Sequence, residues 1–147
     1  MSSTQIRLIA LGVFQRDGKI LVMEGFDATK GERFYRPLGG GVEFGERGHE
    51  TVVRELQEEL GAEIQAVRYL CTLENIFIYR GNPSHELVLM YDGEFADEAW
   101  YQKEIIHGVE ADGEPIIAVW KSLSEFGPDQ PPLYPNGLLE HLISSSN

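Results

Sequence analysis

The feature that most constrains this chain is one strongly patterned helix set among strand-like runs. Counted at about 100° per residue, Val52, Val53, Leu56 and Leu60 of the segment Gly48 to Leu60 fall within an arc of about 100°. That is the apolar stripe of a helix lying on a core, and Gly61 follows where a C-terminal cap belongs. Around it, Ile6 to Phe14 and the run ILVMEGF, joined by a turn at Asp17 and Gly18, read as a hairpin. IQAVRYLCTLENIFIY, HELVLMYDGEF and PIIAVWKSL supply further strands, whereas Gly39 to Gly41 are expected to interrupt the sheet. PNGLLEHLISSS reads as a short helix opened by Pro135 and Asn136, with Leu138, Leu139, Leu142 and Ile143 available for packing. With 147 residues, 42% of them hydrophobic, one domain over 1–147 is expected, an α/β sandwich with a mixed sheet.

The patterned helix also gathers negative charge in VVRELQEELGA. With Glu55 as reference, Glu58 lies about 60° to one side and Glu59 about 40° to the other, so the three carboxylates share one sector. Like charges so placed raise one another's pKa values and destabilise the helix unless something neutralises them. Hard divalent cations take oxygen ligands and gain from such a concentration of carboxylates. A solvated acidic face is the alternative, because Glu is a good helix former and Arg54 offsets part of the charge. The preceding GGGVEFGERGHE adds a glycine-rich approach, where backbone comes close to a ligand, and a further carboxylate, Glu46, within reach of Arg54.

Read from Gly40, the chain runs five residues to Glu46, seven more to Arg54, and then RELQEELGA. This spacing closely resembles the signature of the Nudix hydrolase family. Gly40, Glu46, Arg54, Glu55, Glu58, Glu59 and Gly61 all stand at its fixed positions, with Leu56 at the internal aliphatic one. Ala62 is smaller than the usual branched residue, a departure that touches packing and no charge. The resemblance implies a Nudix-type α/β/α sandwich with a mixed β-sheet. It also implies Mg²⁺- or Mn²⁺-dependent hydrolysis of a phosphoanhydride in a nucleoside diphosphate derivative. Carried over residue by residue, Glu55, Glu58 and Glu59 are the metal ligands together with the Gly40 carbonyl, and Arg54 and Glu46 hold loop and helix in register. Nucleoside triphosphates, dinucleoside polyphosphates and nucleotide sugars all stay open as substrates. A noncatalytic nucleotide-binding sensor or interaction module on the same fold is the second class, which the intact carboxylates disfavour.

Outside that box, Arg36 is the best placed of the basic residues Lys30, Arg33 and Arg36 to meet a phosphate. Tyr35, among Phe34, Phe77, Tyr79 and Trp120, could face a nucleobase, with core packing the alternative for each. The family's proton acceptor is a box Glu or an acid from a later loop, and Glu86, Glu110, Asp112 and Glu114 are the outside candidates. Glu86 and Glu114 are also carried as substrate-binding residues. His49 and His85 lack companions for a soft-metal site, and Cys71 reads as a strand or core thiol. A net charge of −12 opposes a stable nucleic-acid partner and an anionic membrane surface, and no apolar run reaches bilayer length. The expected setting is cytoplasmic, the expected partner a nucleotide-like small molecule, and homodimerisation is left open.

Overall fold

A computed structural model describes residues 5–145. Strands β1 (Arg7–Arg16) and β2 (Lys19–Asp27) form the expected hairpin. At its turn Asp17 and Gly18 take φ of 56° and 77°, the paired left-handed conformations whose twist matches the strands they join. Beyond β3 (Glu32–Arg36) and β4 (Leu38–Gly41) the chain enters helix α1 (Gly48–Leu60). A second hairpin follows, β5 (Ile64–Tyr79) and β6 (Asn82–Phe95), turned by Arg80 and Gly81 at φ of 51° and 80°. A short 3₁₀ helix (Glu98–Gln102), β7 (Ile105–Val109), β8 (Pro115–Ser122) and α2 (Leu138–Ser145) complete it.

The strands lie in the order β5-β6-β1-β2-β8-β7, with β3 on β2 and β4 on β1. β1 and β6 run parallel and the other ladders antiparallel, so the sheet is mixed as expected. The glycines correct one expectation: rather than interrupting the sheet, Gly39, Gly40 and Gly41 pair in register with Leu11, Ala10 and Ile9. Glycine weakens a strand but keeps its backbone donor and acceptor, and β1 offers an open edge for both.

Alternation along β1 divides the interior in two. Ala10 and Phe14 point to a core shared with Val52 and Leu56 of α1, and Ile9, Leu11 and Val13 to one shared with Leu138 and Leu142 of α2. The sheet thus carries a helix on each face, the α/β/α sandwich. Cys71 packs beside the α2-side core as a free thiol, its pKa raised by burial. In α2 the expected packing residues separate: Leu138 and Leu142 are buried, while Ile143 is half-exposed.

Candidate active site

The orientation of α1 about its own axis decides what the site becomes. Gly48, Thr51, Val52, Leu56 and Glu59 are its buried residues, whereas Val53 is 42% exposed. At about 100° per residue, that buried sector is centred near Glu59, turned by about 70° from the stripe that the apolar residues alone define. Glycines on the sheet permit it. A Cβ on Gly108 of β7 would come within 2.4 Å of the Glu59 carbonyl oxygen, and one on Gly40 within 2.6 Å of the Glu55 carboxyl carbon. The helix therefore lies deep against backbone, with its acidic edge turned inward. Its ends are fixed locally: Glu50 accepts from the Arg47 N–H, and Gly61, the cap that the sequence indicates, takes φ 71° and donates to the Gln57 carbonyl.

Arg54 answers most of the charge repulsion. Its Nε donates to Glu46 Oε2 at 2.8 Å and its Nη2 to Glu46 Oε1 at 3.0 Å, a two-pronged pair. Nη1 donates to Glu55 Oε1 at 2.9 Å and reaches Glu58 Oε2 at 3.3 Å, while Nη2 also donates to the Gly41 carbonyl at 3.1 Å. Glu46 further accepts from the Thr51 hydroxyl at 2.6 Å and the Glu43 N–H at 3.2 Å. The Arg54 contact foremost, then the Thr51 hydroxyl, holds the Glu46 carboxyl down at about 2. Reciprocally, the Arg54 guanidinium is pushed further above its ordinary range. Glu46 and Arg54 thus tie the β4–α1 loop to the helix.

Glu59 stands apart. It is buried, and its Oε1 has no hydrogen-bond partner. Burial first, then the charges of Glu55 and Glu110, push its carboxyl up to about 8, against the opposing influence of Arg36 and the Gly39 N–H. Glu55 and Glu58 lie with Arg54 while Glu59 lies apart from them. Among the described residues no three His, Cys, Asp or Glu side chains gather as a metal-holding group. The physical reason is Arg54, which draws Glu55 and Glu58 to its guanidinium while Glu59 turns beneath the helix. Two features nonetheless fit a hard divalent cation: an orphaned carboxylate oxygen on Glu59, and the side-chain-free approach at Gly40 that seats the Glu55 carboxylate.

An open groove beside this cluster is lined by Glu58, Glu59, Gly61, His107, Gly108 and Val109, among others. Arg36 and Glu110 are the outer candidates whose charges reach Glu59. His107, not singled out from sequence, joins them only because β7 packs against α1; no sequence signal marks it. Glu86 lies elsewhere, on the α2 face, where Arg7 Nη1 approaches its Oε2 at 3.4 Å. Glu114 is exposed at the β7–β8 turn, where its backbone pairs with that of Glu110. Tyr35 departs from its expectation as a base platform. It is 7% exposed in the α2-side core against Phe126, with the Lys121 ammonium over its ring. Lys121 covers one face of the ring and Phe126 meets it at a steep angle, because β3 turns alternate side chains inward. Phe34 instead meets Tyr79 and Tyr134, whose hydroxyl donates to Glu32.

A mixed sheet between two helices, with a glycine strand against a Glu46–Arg54-locked helix of glutamates, is the α/β/α architecture that the Nudix resemblance implies. The NUDIX domain matches over residues 4–137, and the chain belongs to the Nudix family. Among curated relatives, the NAD-capped RNA hydrolases NudC of Mycobacterium tuberculosis and Mycobacterium bovis are 34% identical over 102 residues. That match covers 64% of this chain and 31% of theirs, so the chain spans less than a third of the curated relatives' length. A MutT NUDIX hydrolase from Burkholderia pseudomallei superimposes with a TM-score of 0.68 at 25% identity, covering 94% of this chain and 98% of the other. An ADP-ribose pyrophosphatase from Streptococcus suis shares the fold with a TM-score of 0.61 at 18% identity, covering 97% and 93%. Family membership supports phosphoanhydride hydrolysis in general and a nucleotide-type ligand. No described helix is long and apolar enough to cross a membrane.

Proposed function

We propose that the chain hydrolyses a phosphoanhydride in a nucleoside diphosphate derivative, with Mg²⁺ or Mn²⁺ held by Glu59, Glu55, Glu58 and the Gly40 carbonyl. The observation that carries this reading is the buried, unpartnered Glu59 oxygen, a costly arrangement unless a cation completes it. When bound, the ion supplies countercharge to the diphosphate and activates water for attack at phosphorus.

The chain's own residues do the rest. Glu46 fixes Arg54, and Arg54 orients Glu55 and Glu58 along the helix edge. Arg36, whose charge already reaches Glu59, meets the phosphate oxygens on the strand side. The Glu110 carboxylate, brought to the same place by β7, takes the proton from the attacking water. Glu86 contributes on the far face of the sheet to holding the nucleoside, and Glu114 meets the substrate from the exposed β7–β8 turn. For this acidic chain the substrate's charge is met by the cation and Arg36 rather than by a basic surface.

The test is a product-resolved screen of nucleoside triphosphates, dinucleoside polyphosphates, nucleotide sugars and ADP-ribose, run with Mg²⁺ in water carrying heavy oxygen. Release of a nucleoside monophosphate, with the label on one product, supports the reading. Tight nucleotide binding without turnover across the panel would replace it with a noncatalytic nucleotide-binding module.

A further inference from the structure

On the α2 face, away from the acidic helix, the sheet buries a second polar pair. Asn75 of β5 stands directly opposite Glu86 of β6, and Glu86 opposite Arg7 of β1. Asn75 is 5% and Glu86 7% exposed, among apolar neighbours such as Leu73 and Val88 of the α2-side core. The Asn75 Oδ1 has no hydrogen-bond partner. Arg7 touches Glu86 only through Oε2, at the long distance of 3.4 Å, with its own side chain mostly in solvent. A buried amide oxygen without a donor costs stability, and such a group in a functional protein points to a ligand that satisfies it.

The register shows how a nucleotide could reach it. Gly41 pairs with Ile9, Ile9 with Val88, and Glu86 lies two residues back along β6. Two strand spacings across and two residues along place Glu86 about 12 Å from Gly41. That is commensurate with a nucleotide whose phosphates lie at Gly40 and whose base lies over β6. Alternation turns the Gly40 position toward Glu55, hence Gly41 toward the α2 face, where a Cβ would meet nothing within 4 Å. The edge strand β4 is therefore bare where the ligand must cross it.

We propose that Asn75 and Glu86 form the base-reading edge of the nucleotide site and select a guanine-type base. This rests on the hydrolase reading only for where the phosphates lie. Directly opposed residues on antiparallel strands hold their side chains close enough to accept two adjacent donors. Both groups are acceptors: the Asn75 amide oxygen, which has no partner, and the Glu86 carboxylate, whose hydrogen bond from Arg7 is long. Guanine presents adjacent N1–H and 2-amino donors; hypoxanthine lacks the amino group, and adenine presents an acceptor at N1. Glu86 takes the N1–H, and Asn75 Oδ1 takes the 2-amino proton. Half-buried Phe77, two positions along the same face, adds an aromatic neighbour.

The experiment compares GMP, IMP and AMP by calorimetric titration of the full chain with Mg²⁺, alongside kcat/KM for GTP, ITP and ATP. GMP and GTP are expected to lead both analogues by about tenfold or more, since a site built for a donor rejects a ligand lacking it. Asn75→Leu and Glu86→Gln, checked for folding by circular dichroism, should bring that preference within about threefold. Equal binding of the three monophosphates by the unmodified chain would overturn the inference, and that comparison decides the matter even if a variant fails to fold. Variants that weaken all bases alike would overturn it too. Turnover without base preference would sink this inference and leave the hydrolase reading standing; base preference without turnover would do the reverse.

Discussion

Glu46→Gln isolates the lock between loop and helix, since it keeps the side chain's size and removes its charge. Glu46 accepts two hydrogen bonds from Arg54, one from the Thr51 hydroxyl and one from the Glu43 N–H. Holding its carboxyl at about 2 rather than the ordinary 4.5 corresponds, at about 1.4 kcal/mol per pH unit, to about 3 kcal/mol of folding free energy at neutral pH. Its side chain is 15% exposed and that of Arg54 24%, so water screens part of this and about 2 to 3 kcal/mol is expected. The folded-state value lies below the unfolded one. Between them the unfolded chain binds more protons, so the contribution is complete above about pH 4.5 and is lost as pH falls through about 2. Urea denaturation of both proteins in chelator, from pH 7 to pH 3, reads the difference directly. A gap of about 2 to 3 kcal/mol at pH 7, shrinking to about 1 at pH 3, is the expected outcome. A gap that stays constant with pH, or one below about 0.5 kcal/mol at pH 7, would refute the assignment of the lock to the Glu46 charge.

Three further outcomes follow from the same geometry. Gly108→Ala forces a Cβ to within 2.4 Å of the Glu59 carbonyl oxygen and should cost about 2 kcal/mol or more by urea denaturation, because backbone rather than a flexible side-chain end must yield. Leu138→Ala, at a fully buried position of α2, should cost about 2 to 4 kcal/mol in the same measurement while leaving hydrolysis per folded molecule unchanged. Exhaustive chelation should abolish hydrolysis and added Mg²⁺ or Mn²⁺ restore it, whereas Glu59→Gln should lose most Mn²⁺ binding by electron paramagnetic resonance; unchanged Mn²⁺ binding would remove Glu59 from the ligand set.

Local chemistry made α1 readable in extent and at its C-terminal end, since Gly61 at φ 71° and the spacing of Val52 and Leu56 belong to the helix itself. The Asp17–Gly18 turn was legible for the same reason. The rotation of α1 was not, because it depends on Gly108, which lies about fifty residues away in a strand the apolar pattern did not mark. Val53 and Glu59 have changed the places that their hydrophobicity alone assigns. Likewise Tyr35 is an inward residue only because Phe126 and Leu133 close over β3 from a remote part of the chain. Asn75 reads as a polar interruption of an apolar strand until its cross-strand partner is known to be a buried carboxylate. What sequence could not supply was in each case a neighbour distant along the chain.

The question posed by three glutamates in one helical sector has two answers that work at different moments. Arg54 neutralises Glu55 and Glu58 in the protein itself, so the helix is stable without a cation. Glu59, beyond the reach of that guanidinium, is left costly and unsatisfied. A site of this kind needs Arg54 held back from the carboxylates when a cation arrives. Glu46 meets that need: its two hydrogen bonds anchor the guanidinium at the loop side, while the Glu55 and Glu58 contacts use only Nη1. Removing the Glu46 charge should therefore do more than destabilise the loop. Arg54, freed to pair fully with Glu55, would compete with the cation, and Glu46→Gln should weaken Mn²⁺ binding although Glu46 touches none of the proposed ligands. Titration of Mn²⁺ into folded Glu46→Gln and unmodified chain measures this, and equal affinities would reduce Glu46 to a structural tie.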